Sequence, residues 1–86
     1  MIEEIWERIR SCEGETFKQI KGGEFYYTIK SNQLHLSRTN RIISKGIIEQ
    51  ALVHVPFENT VPLQNLQAPS YIFAILMDKR IRKNDW

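Results

Sequence analysis

The feature that most constrains the fold of this chain is an alternation of apolar and polar residues through positions 25–38, centred on Ser31 and Asn32. If those two residues form a tight turn, the apolar residues of both flanking strands fall on one face of an antiparallel hairpin. The cross-strand pairs would be Ile29 with Leu34, Tyr27 with Leu36, and Phe25 with Arg38. Because the apolar residues of both segments fall on the same face in this pairing, the sequence predicts a β-hairpin.

The stretch before this hairpin predicts one more strand, which makes the expected sheet a three-stranded antiparallel meander. Residues 16–21 would form that strand, and the glycines at positions 22–23 can supply the positive backbone angles of the turn that follows. Phe17 and Ile20 cannot both face the core of a regular strand. We expect a glycine bulge, which would place Phe17 opposite Tyr27.

Three helices are predicted around the sheet. Apolar residues recur at helical spacing in the first two, whereas in the third Ala74, Leu76 and Met77 favour a helix and a strand is the alternative. The first helix covers residues 2–12 and is ended by Gly14. The second covers residues 45–54, is capped by Ser44 and is closed by Pro56. The third covers residues 71–77 and is capped by Ser70. All three prolines follow the second helix and mark a connector with at most a short helical turn. The last helix is apolar on nearly every side, so it must be buried either in the core or against a second copy of the chain.

These elements place the chain in the α+β class. With 86 residues there is room for one domain. We expect it to span residues 1–81, with an N-terminal helix, a three-stranded antiparallel β-meander, and then two helices joined by a proline-rich connector. Residues 82–86 are expected to be a basic tail that frays.

Several classes of protein are disfavoured by composition. The hydrophobic fraction of 42% and the charged fraction of 26% are those of an ordinary globular chain. The single cysteine, Cys12, cannot form an internal disulfide and fits a buried thiol in a reducing compartment. The first residues lack the basic start and apolar run of a signal peptide, and the longest apolar run falls well short of the roughly 20 residues of a membrane span. We therefore expect a cytoplasmic protein.

Catalytic residues are not evident in the sequence. Neither His35 nor His54 has the spacing to cysteine or carboxylate that a metal site needs, and the serines and glycines form no nucleophile elbow or phosphate loop. His35 would lie on the polar face of the hairpin opposite Thr28. We expect a non-enzymatic protein with no catalytic residues, metal, cofactor or small-molecule substrate.

Charge is segregated along the chain despite a net charge of only +2. Residues 1–15 hold five acids and two bases, whereas residues 16–48 hold six bases and one acid, Glu24. Residues 49–78 carry three acids, and residues 79–86 carry a net charge of +3. Two basic segments therefore lie in an otherwise acidic chain.

The first basic segment favours nucleic-acid binding, DNA in particular. On the outer face of the hairpin, Tyr26 and Lys30 would combine an aromatic ring with a base, and a polar basic loop follows at residues 38–41. The candidate residues are Lys18, Tyr26, Lys30, Arg38, Asn40, Arg41 and Lys45. Arginine and asparagine suit the edges of guanine and adenine, and most contacts would be to phosphate.

Two other interpretations remain open. An ordinary sheet also carries lysines on its solvated face, and the arginines of the loop could pair with glutamates of the first helix. The chain could instead be a protein-interaction or regulatory module, or a homodimer, that uses the apolar helix at 71–77. The partner-binding residues would then be Tyr71, Phe73, Met77 and Trp86.

The segments 25–29, 38–45 and 69–76 resemble small uncharacterised bacterial and phage α+β domains found alone or beside DNA-processing and defence proteins. The likeness extends from Gly14 to Ile81. It implies an α+β domain and favours a nucleic-acid partner, and it assigns no functional residue.

Overall fold

A computed structural model describes all residues, 1–86, and confirms the α+β class. The helices are α1 (Ile2–Ser11), α2 (Lys45–Leu52), α3 (Pro69–Leu76) and α4 (Lys79–Arg82), with a 3-10 turn at Val61–Leu63. The strands are β1 (Phe17–Lys18), β2 (Glu24–Phe25), β3 (Tyr27–Lys30), β4 (Gln33–Leu36) and β5 (Ile42–Ser44). None of the helices has the length and apolar character needed to cross a membrane.

The predicted hairpin is confirmed as β3 and β4, with Ile29 opposite Leu34 and Tyr27 opposite Leu36. Ser31 and Asn32 both have positive φ angles, 52° and 58°, as in a type I′ turn whose twist matches that of the strands. The ladder ends at Tyr27, so the predicted pairing of Phe25 with Arg38 does not form. Phe25 belongs to β2 instead.

The membership of the three-stranded meander differs from the prediction. Its strands are β3, β4 and β5, whereas β1 and β2 form a separate two-stranded sheet. The free edge of β3 is closed by the turn after α1, because the Gly14 amide donates to the Tyr27 carbonyl and the Glu13 carboxylate accepts from the Ile29 amide. A strand at 16–21 therefore has no edge to join.

The predicted bulge is also wrong, since Phe17 lies opposite Phe25 and not opposite Tyr27. The turn between β1 and β2 closes on itself, with the Gln19 amide donating to the Gly23 carbonyl at 2.8 Å. This bond fixes the register of the two short strands. The Phe17 ring still reaches Tyr27 across the core, with their ring centroids 5.3 Å apart.

The start of α2 agrees with the prediction, and the start of α3 does not. The Ser44 hydroxyl accepts from the Ile47 amide and caps α2, which ends at Leu52, two residues earlier than expected. Residues 71–76 of the predicted 71–77 segment are helical, with Met77 just after the last turn, but α3 begins at Pro69. Proline suits the first helical position, so the predicted Ser70 cap is wrong. Ser70 lies within the first turn and accepts a hydrogen bond from Gln19.

Residues 82–86, expected from the sequence to fray, contact the rest of the chain. The Trp86 indole donates to the Leu76 carbonyl at 2.9 Å, and Arg82 donates to the main-chain oxygen of Trp86. Asp85 forms an ion pair with Arg8 at 2.6 Å. These contacts join the end of the chain to α1 and α3.

Tyr27 connects the sheet to α1 in the centre of the core. Its side chain is fully buried, and its hydroxyl donates to the Ile9 carbonyl at 2.6 Å. All 21 buried residues are hydrophobic, Cys12 among them as predicted. The Tyr27 hydroxyl is therefore one of few polar groups within this core, and burial raises its pKa well above the ordinary value of 10.0.

We expect Tyr27→Phe to lower the free energy of unfolding by about 1 kcal/mol, because it removes a buried hydrogen bond and keeps the ring. Urea unfolding would measure the change. The matched control is Tyr26→Phe, since the exposed Tyr26 hydroxyl bonds to nothing in the chain. An equal loss in both variants would contradict a special role for Tyr27.

The same hydroxyl should make stability depend on alkaline pH. Because the folded state holds Tyr27 neutral beyond its ordinary pKa, its contribution is complete below pH 10 and declines as pH rises above 10. Between pH 9 and 11 the free energy of unfolding of the native chain should fall more steeply than that of Tyr27→Phe. Parallel curves would show that the hydroxyl ionises freely in the folded protein.

Candidate nucleic-acid interface

The outer face of the three-stranded sheet is open to solvent. Exposure alternates along β3, so Thr28 and Lys30 point away from the core, and Tyr26 continues the pattern with 49% of its surface exposed. The Ser37 amide donates to the Tyr26 carbonyl, and the Tyr26 amide donates to the Ser37 hydroxyl, which fixes Tyr26 beside the end of β4. The predicted aromatic and basic face is therefore present.

His35 lies opposite Thr28 in the middle of this face, as the sequence predicts. Its other neighbour is Ile42 on β5, which is 38% exposed. Residues 25–48 contain no acid, so no strand of this sheet carries a carboxylate, and the Glu13 carboxylate lies at the β3 edge, where it accepts from the Ile29 amide. The surface combines flat rings, hydroxyls and one lysine, a composition suited to stacking and phosphate contact.

The loop at residues 38–41 connects β4 to β5 and keeps its polar side chains outside. Arg38 donates weakly to the Glu24 carbonyl, at 3.4 Å, and Asn40 and Arg41 are exposed with no side-chain partner in the chain. The Arg41 amide donates to the Thr39 hydroxyl at 3.3 Å, which shapes the loop. The guanidinium groups of Arg38 and Arg41 and the carboxamide of Asn40 are thus exposed at one end of the sheet.

Arg38 lies close above the turn between β1 and β2. A Cβ atom added to Gly23 would be 2.9 Å from the Arg38 guanidinium and 2.8 Å from the Gln19 side-chain oxygen. Neither distance is tolerated without movement of a side chain. Glycine at position 23 therefore allows Arg38 its present position.

Two of the seven predicted residues are not part of this face. Lys45 begins α2 as expected, but its ammonium group contacts both carboxylate oxygens of Glu3, at 3.0 and 3.1 Å. Lys18 was expected beside the hairpin because of the bulge; without the bulge it lies on β1 and lines a cleft against α3. Tyr26, Arg38, Asn40 and Arg41 thus lie at one end of the sheet, and Lys30 lies at the opposite end of β3.

Ion pairing divides the cations of the chain into two groups. Four of the twelve lysines and arginines form ion pairs within the chain, namely Arg8, Arg10, Lys45 and Arg80. The other eight have no carboxylate partner, and all of them lie in the two basic segments. They are Lys18, Lys21, Lys30, Arg38, Arg41, Lys79, Arg82 and Lys83. We call these eight the unpaired cations.

The predicted partner-binding residues are engaged within the chain. The Tyr71 ring packs edge-on against Phe25, with centroids 4.8 Å apart, and Phe73 packs against Phe57 at 5.9 Å. Met77 and Trp86 are also half-buried against the core. Burial inside the domain thus accounts for the apolar character of α3.

Arg80 holds α4 in place and was not anticipated from the sequence. Its guanidinium bonds to Asp78, Glu15 and the Thr16 carbonyl, and lies 4.2 Å above the centre of the Phe17 ring. The hydrogen bond from Arg80 lowers the pKa of the Asp78 carboxyl below its ordinary value and raises the pKa of Arg80. Asp78 also caps α4 by accepting from the Arg80 amide.

The Cys12 thiol lies near this cluster, and burial raises its pKa above the ordinary value. A raised pKa keeps it protonated and poorly nucleophilic. No three histidine, cysteine, aspartate or glutamate side chains are grouped closely enough to hold a metal ion.

Comparisons of the chain with protein-family models, with curated proteins and with solved structures gave no match.

We expect Asp78→Asn to lower the free energy of unfolding by about 1 kcal/mol at pH 7, because a partly exposed charged hydrogen bond is lost while the helix cap is kept. The depressed pKa means that this stabilisation is complete above about pH 4 and is lost as pH falls further. The gap between native and variant, measured by urea unfolding, should close from pH 5 towards pH 2. Glu58→Gln, at an exposed position, is the control; a pH-independent gap for Asp78→Asn would disprove the coupling.

Proposed function

We propose that this chain is a non-enzymatic module that binds nucleic acid through the outer face of its three-stranded sheet and the loop at 38–41. The observation that carries the proposal is the lack of any carboxylate partner for Lys30, Arg38 and Arg41. They lie in a stretch, residues 25–48, that contains no acid, so they carry charge that an external anion can neutralise.

Phosphate is the anion best suited to this surface. Guanidinium groups bind phosphate oxygens with two parallel hydrogen bonds, and Arg38 and Arg41 lie on the same short loop. Lys30 lies at the far end of β3 and adds a charge across the sheet. Such contacts determine affinity and depend strongly on salt.

Bases would be contacted by the uncharged part of the face. The exposed ring of Tyr26 offers a stacking surface, and the free carboxamide of Asn40 can donate to and accept from a base edge. Such a surface with one aromatic ring would bind with little sequence preference. Lys45, held by Glu3, contributes little in this arrangement.

We expect the double substitution Arg38→Ala and Arg41→Ala to weaken binding at least tenfold near 50 mM salt, because two phosphate contacts are lost. The slope of log K against log salt should become shallower by about 1.4 for the single strand and about 1.8 for the duplex. Fluorescence anisotropy with a labelled 12-nucleotide strand and with its duplex would measure both quantities.

Arg10→Ala is the control for general charge loss, since Arg10 is an exposed cation on α1 that pairs with Glu7. It should leave affinity within about twofold of the native chain, as a distant, screened charge does. Urea unfolding of each variant would confirm that the fold is intact. The proposal fails if the native chain binds neither probe at low salt, or if the loop variant binds as well as the native chain.

A further inference from the structure

The second basic segment forms the wall of a cleft at the end of the chain. This cleft has a volume of about 540 Å³. It is lined by Met77, Lys79, Arg82, Lys83, Asn84 and Trp86. Lys79 and Lys83 are unpaired cations, and the guanidinium of Arg82 is bound to the main-chain oxygen of Trp86. These three cations surround one aromatic ring and one carboxamide, with no acid in the lining.

A second cleft, of about 330 Å³, adjoins the first and shares Met77 and Lys79 with it. It runs between β1 and α3 and includes Phe73 and Lys18. Lys18, which the sequence placed with the hairpin, thus lies on a groove that leads to α4. The two clefts together are called the α4 groove.

The α4 groove is connected to the 38–41 loop through the two-stranded sheet. Lys18 is the cross-strand neighbour of Glu24, and the Glu24 carbonyl accepts from Arg38. Acidic residues 49–78 separate the two basic segments in the sequence. In the structure, the pair formed by Lys18 and Glu24 connects the loop at 38–41 to the α4 groove.

We infer that the nucleic acid bound by this chain is single-stranded, and that its path continues from the 38–41 loop past Lys18 into the α4 groove, where a base stacks on Trp86. The inference rests on the proposed function of the sheet face. It adds a second contact surface and names the class of nucleic acid.

The shape of the groove favours a single strand over a duplex. In a duplex the faces of the bases are stacked on one another, so rings recessed in a cleft reach only the backbone. A single strand can turn a base out of line and place it against an aromatic side chain. A volume of a few hundred Å³ is within the usual range for small-molecule pockets and is adequate for one nucleotide.

The Trp86 ring is held in a fixed position before any ligand binds. Its nitrogen donates to the Leu76 carbonyl, and Arg82 holds the main chain of the same residue. Arg80 fixes α4 on β1, so the wall that carries Lys79 and Lys83 is also preformed. A rigid site loses less entropy on binding.

Two of the three acids near the path form ion pairs within the chain, and the third, the exposed Glu24, lies beside Lys18 on the neighbouring strand. Asp78 lines the cleft beside Lys79, but its carboxylate is engaged by Arg80 through both oxygens. Asp85 is paired with Arg8. The charge that faces a ligand in the α4 groove is therefore positive.

The test uses a labelled 12-nucleotide thymidine strand, its duplex with adenosine, and the full chain. Lys83→Ala should reduce the salt slope for the strand by about 0.7, the value for one phosphate contact with a single strand. Trp86→Leu should weaken strand binding roughly 5- to 100-fold, whereas Trp86→Phe, which keeps an aromatic face, should weaken it much less. Arg10→Ala is again the control.

Fluorescence gives a second readout in the unmodified protein. The chain has two tryptophans, and Trp6 is buried in the core, so a change on binding reports Trp86. We expect the strand to quench tryptophan emission with the same midpoint as the anisotropy change, and the duplex to bind at least tenfold more weakly.

The possible outcomes separate the two proposals. In one outcome the strand binds, the double substitution of Arg38 and Arg41 weakens its binding, and neither the Lys83 and Trp86 substitutions nor the tryptophan emission shows an effect. The α4 groove is then not part of the path, and the sheet face remains the binding site. Duplex binding as tight as strand binding overturns the single-strand assignment alone. If neither probe binds at low salt, both proposals fall.

Discussion

The hydrogen bond from the Tyr27 hydroxyl to the Ile9 carbonyl is the constraint on which the rest of this fold depends. It fixes the last turn of α1 against the inner face of β3, and the turn that follows then closes the β3 edge through Glu13 and Gly14. With that edge closed, the only strand that can extend the sheet comes from the opposite side, as β5. The Tyr27 hydroxyl thus joins α1 to the strand whose free edge the following turn closes.

The lysines and arginines on the surface of the molecule fall into two groups, those with and those without an ion-pair partner. Paired cations hold elements together: Lys45 joins α2 to α1, Arg8 joins α1 to the end of the chain, and Arg80 joins α4 to β1. Unpaired cations occur on β1 and the turn after it, at the end of β3, in the loop at 38–41, and in and after α4. The chain has ten acids and twelve lysines and arginines, yet eight of these cations have no aspartate or glutamate partner, so their charge is directed to the surroundings of the domain.

Local patterns in the sequence predicted the fold where neighbouring residues decide the structure. The register of β3 and β4 follows from alternation around Ser31 and Asn32, and the Ser44 cap follows from its side chain. What could not be predicted depends on residues far apart in the chain, such as the closure of β3 by Glu13 or the anchoring of α4 by Arg80. The candidate site also could not be predicted in full. The position of Lys18 depends on the register of β1, and the hydrogen bond from the Gln19 amide to the Gly23 carbonyl determines that register.

Ser44 is both the last residue of β5 and the cap of α2, so the strand passes into the helix without a linker. One residue inserted there would turn the buried face of α2 by about 100° relative to the sheet, since a helix has about 3.6 residues per turn. The connector at residues 53–68 contains no strand or α-helix and only one short 3-10 turn, and exposed residues separate its three buried side chains, Phe57, Leu63 and Ala68. Length variation among chains that share this fold should therefore be confined to that connector, and the boundary between β5 and α2 should keep a fixed length.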